Sequence, residues 1–286
     1  MKTSFAFLLL TMVGISFSQE RNDTARDQQM YQLAKTDLKK FAEEVSSGGG
    51  SEIEKADKII KWLARNFDWT ATDYRQRTIQ EIIDRKGGNC NELAMVAREA
   101  LKKLNFRMRQ VREINLHRED SSRGARARQI VAEKGKRYSV FGRRHNDHVW
   151  LEIYDSAAQE WFPADPSMGV VGQEWLSARV GFGTRFTLNP ISKDMVTPVS
   201  IFAVDEEGNI SIKRTHHYLV NGFSDLYQDK LRVLPSWKTW VRQIDALEDK
   251  SLGAFHGQLN LQHYETLFDD LAITYENLKK EYQNAQ

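Results

Sequence analysis

An α+β fold is expected from three patterns in this chain of 286 residues. Apolar residues recur at helical spacing in segments near both ends. Between them lie short stretches that alternate apolar and polar residues and are bounded by turn-formers, as strands in hairpins are. A glycine turn, Gly87-Gly88, also runs straight into an amphipathic segment that begins at the only cysteine, Cys90.

Taken in order, residues 1–18 read as a signal peptide. Lys2 is a short positive region, Phe5 to Phe17 is mostly apolar, and Ser16-Phe17-Ser18 offers cleavage before Gln19. The apolar run is shorter than a membrane span needs, with an uncleaved anchor as the alternative. No later stretch is apolar enough to cross a bilayer, and no cysteine follows the signal to carry a lipid. Export to the periplasm or the medium is the expected localisation. Residues 19–26 are polar. Met30, Leu33, Ala34, Leu38, Phe41 and Val45 then mark one amphipathic helix from Asp27 to Val45, ended by the Ser46–Ser51 linker. A second helix carries Ile53, Ala56, Ile59, Ile60, Leu63 and Ala64 and stops near Asn66. Phe67-Asp68-Trp69 suits an extended segment, and Thr78 to Ile83 a helical turn before the glycines.

The helix after Cys90 runs from Asn91 to Leu104 with Leu93, Ala97, Ala100, Leu101 and Leu104 on its apolar face. Cys90 shares that face, so its sulfur is expected to point inward. Asn105 ends the helix, and Phe106 to Ile114 alternates like a strand. From His117 to Arg144 nine Lys or Arg stand against three acids, which reads as a surface excursion or an electropositive rim. His148 to Tyr154 alternates cleanly, and Trp161 to Asp165 is its return strand. A hairpin symmetric about Ser156–Ala157 sets His148 opposite Asp165, on the same face. Val199 to Val204 and Ile210 to Ile212 form a second strand pair. Two helices follow, one with Trp237, Trp240, Val241, Ile244 and Leu247, the other with Tyr264, Leu267, Phe268, Leu271, Tyr275, Leu278 and Tyr282. The expected units are 1–18, 19–51, a core of 52–190, and a C-terminal strand pair with helical extension, 191–286, packed on that core.

The formal net charge of +2 supplies no global basic field for nucleic acid or an anionic membrane. One cysteine allows no internal disulfide, and a lone thiol in an oxidising compartment is exposed to mispairing. The plain alternative is a buried cysteine acting as a small hydrophobe. Against it stands the Gly-Gly-Asn-Cys entry into a helix, where unpaired N–H groups and the helix dipole favour an anion. Cys90 as nucleophile, His148 as base and Asp165 as the residue that orients the imidazole would perform acyl transfer through a thioester. The main-chain N–H of Cys90 is one oxyanion donor; Trp69, Gln80 and Asn89 are candidates for the second. No cofactor or metal is expected. His145-Asn146-Asp147-His148 lacks a chelating pattern, and His216-His217, if extended, point to opposite faces. Asn22-Asp23-Thr24 matches a short glycosylation sequon.

Several of these motifs resemble the transglutaminase-like superfamily, whose catalytic plan is papain-like. They are Gly88-Asn89-Cys90 with Leu93-Ala94, Phe106 to Val111, His148-Val149-Trp150-Leu151-Glu152-Ile153-Tyr154, and Trp161-Phe162-Pro163-Ala164-Asp165-Pro166. Ile59-Ile60-Lys61-Trp62-Leu63 is similar to the usual lead-in. The resemblance spans residues 54–170 and assigns Cys90, His148 and Asp165 the same three roles. It implies a cysteine helix packed on an antiparallel sheet, within a family of cross-linking transferases, peptidases, deglycosylating enzymes and inactive members. The basic excursion before His148 departs from the family pattern. The expected activity is cleavage of peptide or glutamine-type amides, with hydrolysis ahead of protein cross-linking and a peptide or protein as substrate. The non-enzymatic alternative is a peptide- or glycan-binding module using Trp150, Trp161 and Trp175 as contact aromatics.

Overall fold

The computed structural model describes residues 25–70, 75–117, 145–182, 195–205, 208–255, 258–259 and 261–286. The signal peptide, the sequon at Asn22 and nearly all of the basic segment 117–144 lie outside the described residues.

Two helices, α1 (Ala25–Thr36) and α2 (Leu38–Val45), replace the single one expected over 27–45. Asp37 breaks the run: its backbone leaves the helical region and its carboxylate caps the second helix through the Lys40 N–H at 3.0 Å. Helix α3 (Glu52–Asn66) starts at a capping box between Ser51 and Glu54. After β1 (Asp68–Trp69), α4 (Ile79–Asp84) starts at a second one, between Thr78 and Glu81. Strand β2 (Gly87–Gly88) leads into α5 (Cys90–Lys102), which starts at a third, between Asn89 and Glu92.

A six-stranded sheet follows, ordered β6-β5-β4-β3-β7-β8 and antiparallel throughout. Its strands are β3 (Met108–His117), β4 (His145–Asp155), β5 (Glu160–Asp165), β6 (Val170–Val171), β7 (Met195–Val204) and β8 (Ile210–Lys213). Helix α6 (Gln173–Arg179) lies between β6 and β7. A π-helical turn (His217–Gly222), the short α7 (Phe223–Leu226) and the long α8 (Trp237–Phe255) and α9 (Glu265–Asn284) close the chain.

β4 is covered on both faces. Val149, Leu151 and Ile153 join one core with residues of α3 and α5, whereas Trp150 joins a second core with Trp175, Tyr218, Trp240, Leu271 and Tyr275. Trp150 and Trp175 are fully buried, their ring centroids 4.4 Å apart, so neither is available as a contact aromatic. Trp161 is half-buried beneath the Arg109 guanidinium, 4.1 Å from its ring centroid.

The boundary drawn at residue 190 runs through this sheet. β7, from the expected extension, hydrogen-bonds to β3 at the sheet's centre and carries β8 on its other side. The C-terminal helix is tied in as well. The Tyr275 hydroxyl donates to the carbonyls of Val180 (2.9 Å) and Gly181 (2.8 Å), where α6 ends.

Candidate active site

Cys90 opens α5, and three local features set its position. Asn89 accepts from the Glu92 N–H at 3.1 Å, and Glu92 accepts from the Asn89 N–H at 2.9 Å, so the first turn is closed from both ends. Strand β1 runs parallel to β2, with Trp69 level with Gly88. The approach leaves no room for side chains: a Cβ on Gly87 would sit 2.5 Å from the Asp68 carbonyl oxygen, and one on Gly88 2.7 Å from Glu92 Cβ. Third, the Glu92 carboxylate is buried and takes the Arg77 guanidinium at 2.8 Å. Arg85 approaches the same carboxylate at 3.9 Å and also donates to the Thr70 hydroxyl at 3.1 Å, tying the segment after β1 to the cysteine turn. Cys90 itself is half-buried at the margin of the core formed with α3 and α5.

His148 lies in β4 and Asp165 ends β5, both buried. The His148 Nε2–H donates to Asp165 Oδ2 at 2.6 Å. With Nε2 so engaged, Nδ1 is the ring nitrogen left to meet the Cys90 thiol, which is near enough to favour the charged imidazole. Of the three side chains singled out in the sequence, the structure joins His148 and Asp165 by a hydrogen bond and seats Cys90 at the helix entry. Asp165 Oδ1 is held separately by the Ser167 N–H (2.9 Å) and hydroxyl (2.6 Å), so the carboxylate cannot rotate freely beneath the imidazole.

The hairpin register that joins them differs from the expected one. Asp155 pairs with Glu160 and Leu151 with Ala164, which sets Asp165 level with Trp150 and not with His148. The turn is responsible. Asp155 Oδ1 accepts from the N–H groups of Ala157 (2.9 Å) and Ala158 (3.4 Å), and Gln159 takes a left-handed conformation with φ of 56°. The result is a four-residue turn whose pairing is displaced by two residues. Because side chains alternate with a period of two, the displacement keeps His148 and Asp165 on one face and makes them diagonal neighbours.

Electrostatics favour an ion pair between them. Burial alone would push the imidazole toward its neutral form. The Asp165 charge and hydrogen bond, with a smaller contribution from Cys90, outweigh it and raise the His148 pKa from 6.5 to about 10. Burial pushes the Asp165 carboxyl up, but the His148 charge and hydrogen bond, the Ser167 bond and the Arg179 charge together hold it below the ordinary carboxylate range.

The three candidates for the second oxyanion donor separate. The Asn89 side chain is engaged as the helix cap, and Gln80 is exposed and donates to Asp84. The Trp69 Nε1–H is buried without a hydrogen-bond partner. His216 is hydrogen-bonded to Asp245 and lies beside the helical turn that starts at His217, so the two histidines do not form an extended pair. The side chains of residues 145–147 lie outside the described residues. The sequence did not single out Glu92, Ser167, Glu113 or Arg179; charged residues in alternating or helical patterns carry no mark of burial.

Residues 39–166 match the sequence model of the transglutaminase-like superfamily, a span that holds Cys90, His148 and Asp165. This segment is transglutaminase-like. Members of that superfamily are typically cysteine-dependent enzymes, and some are non-catalytic. No curated protein matches the chain. Among solved structures, a candidate cysteine protease from Cytophaga hutchinsonii is 14% identical, with 55% of this chain and 47% of that chain covered and a TM-score of 0.32. A TGase structure is 12% identical, with 62% and 36% covered and a TM-score of 0.29. Rad4–Rad23 bound to a 6-4 photoproduct lesion is 10% identical, with 86% and 54% covered and a TM-score of 0.34. The chain thus spans only about a third to a half of the length of these structures. The transglutaminase-like match ends one residue after Asp165, and the rest of the chain supplies β6 to β8 and the helices beyond.

Proposed function

We propose that the protein is an exported thiol enzyme that cleaves amide bonds in peptides or glutamine-type side chains, with Cys90 as nucleophile, His148 as base and acid, and Asp165 as orienter. The observation that carries this reading is the buried 2.6 Å His148–Asp165 hydrogen bond, with Cys90 at a helix entry near enough to act on the same imidazole. Export rests on the signal-like residues 1–18.

The Cys90 sulfur attacks the carbonyl carbon, and its negative charge passes to the carbonyl oxygen. The N–H of Cys90 has no acceptor within its own helix, because it opens the first turn, and it can donate to that oxygen. The free Trp69 Nε1–H is the group we assign as second donor. The intermediate collapses as the C–N bond breaks and the His148 imidazolium gives its proton to the leaving amine. Water, deprotonated by the now neutral His148, adds to the thioester and releases the acid, and the thiol–imidazole pair is restored. Hydrolysis is favoured over transfer because no dedicated site for an amine acceptor is marked. A primary amine taking the place of water would give the cross-linking reaction.

Iodoacetamide alkylation separates an enzyme from a binding module. The expected result is rapid labelling of Cys90 well below the free-thiol pKa of about 8.5. His148→Ala should slow it by on the order of 10-fold or more, and Cys90→Ala should abolish turnover of a peptide and amide library. Labelling no faster than a free thiol, with ligand binding intact in Cys90→Ala, overturns the proposal. Product analysis with and without added primary amine distinguishes hydrolysis from transfer.

A further inference from the structure

Beyond the three site residues lies a second buried pair that the chemistry above does not use. Glu113 of β3 is fully buried, and Arg179, the last residue of α6, is 3% exposed. The Arg179 Nη2–H donates to Glu113 Oε1, and the Trp150 indole donates to Glu113 Oε2 at 3.0 Å. Glu113 stands directly opposite His148 in the β3–β4 ladder. Such pairs share a face with Cβ atoms about 5 Å apart, within reach of a glutamate carboxylate. Arg179 in turn acts on Asp165. Cys90 from α5 and Asp165 from β5 act on the His148 charge, and Glu113 of β3 stands beside it in the ladder.

A buried ion pair is a poor device for stability, since apolar residues of similar size often do as well. Its placement suggests another use. An unpaired Glu113 carboxylate would compete with Asp165 for the imidazole. An unpaired Arg179 guanidinium would compete with the imidazole for Asp165. We propose that Glu113 and Arg179 are positioning residues that pair with each other, so that the Glu113 carboxylate does not displace Asp165 from His148 and the Arg179 guanidinium does not displace His148 from Asp165. This inference rests on the catalytic reading of Cys90 and His148. The indole of Trp150, next but one to His148 along β4, fixes the second oxygen of Glu113 and keeps that carboxylate turned away.

The test compares iodoacetamide alkylation of Cys90 across pH in wild type, Glu113→Gln, Arg179→Met and the double variant Glu113→Gln/Arg179→Met. Each single variant removes one charge of the buried pair and leaves the other uncompensated by it. Each should slow alkylation at neutral pH by roughly 10-fold, and the pH at which the His148-dependent rate is lost on the alkaline side should fall in Glu113→Gln and rise in Arg179→Met. The double variant removes both competitors and should return to within about threefold of wild type, with the wild-type alkaline limit. A double variant as slow as the singles, or singles with wild-type rates, overturns the inference. Arg179→Lys covers the case in which the singles do not fold. It keeps the charge but loses the planar fork, and an unchanged rate and pH profile in that variant also overturn the inference. Wild-type protein whose labelling is indifferent to His148→Ala would instead remove the catalytic reading itself.

Discussion

His148 and Asp165 illustrate how burial and charge act against each other on a single bond. Burial disfavours both charged forms, yet each supplies the counter-charge the other needs, and the pair is ionic in the folded state. The consequence for stability has a definite sign. The folded protein holds the His148 proton more tightly than the unfolded chain does. The stabilisation is therefore complete below pH 6.5 and is lost as the pH rises through about 10. Asp165 contributes in the opposite sense: its stabilisation is present above its ordinary pKa of 3.8 and is lost as the pH falls through the depressed value. Thermal melting of wild type and His148→Gln across this range should show a difference that is flat below pH 6.5, falls steadily above it and closes toward pH 10. A difference that closes near 6.5 would show that the imidazole is not ion-paired. The helix entry at Cys90 and the seating of His148 and Asp165 on neighbouring strands were legible in the sequence, because glycine-to-helix junctions and strand alternation are local marks. The hydrogen bonds that complete the site, from Ser167 to Asp165 and from Arg77 to Glu92, were not, because serine and arginine are common in loops and on surfaces.

The start of α5 is where local structure and chemistry meet. The capping box of Asn89 and Glu92, the parallel bridge to β1 and the two glycines together hold the cysteine turn. Gly88→Ala is the sharpest probe, because its new methyl would lie 2.7 Å from Glu92 Cβ on the adjacent backbone turn. We expect it to destabilise the protein by about 1–3 kcal/mol, measured by urea denaturation, and to slow Cys90 alkylation in the protein that remains folded. Unchanged stability with unchanged labelling would show that the close approach does not hold the turn. Other elements differ from the sequence expectation by single devices. Asp37 divides one helix into two, since an aspartate inside an amphipathic run serves equally as a polar-face residue or as a cap. The four-residue turn at Asp155 shifts a hairpin by two residues while leaving its apolar alternation unchanged.

The sheet continues across the boundary expected at 190. β3 has β4 on one side and β7 on the other, and the core around Trp150 draws on α6, the π-helical turn, α8 and α9. Ending the chain at residue 190 would strip β3 of one neighbour, expose its edge and uncover Trp150 and Trp175. The truncated protein is expected to aggregate or remain unfolded by circular dichroism and size-exclusion chromatography. A soluble, cooperatively melting fragment that still labels at Cys90 would show instead that the core stands alone. Among the described residues no helix is long and apolar enough to cross a membrane.

Periodicity, capping residues and glycine turns act within a few positions along the chain. They were enough to locate most of the helices and strands, to seat Cys90 at a helix entry, and to set His148 and Asp165 on one face of neighbouring strands. Strand register, the seating of β7 against β3, and the burial of Glu113, Arg179 and Trp150 depend on contacts between residues far apart in the chain. A shift of two residues leaves every alternation intact, and a charged residue looks the same in sequence whether water or a buried partner meets it. The free energy of assembling the sheet and its two cores selects among arrangements that local pattern treats as equal.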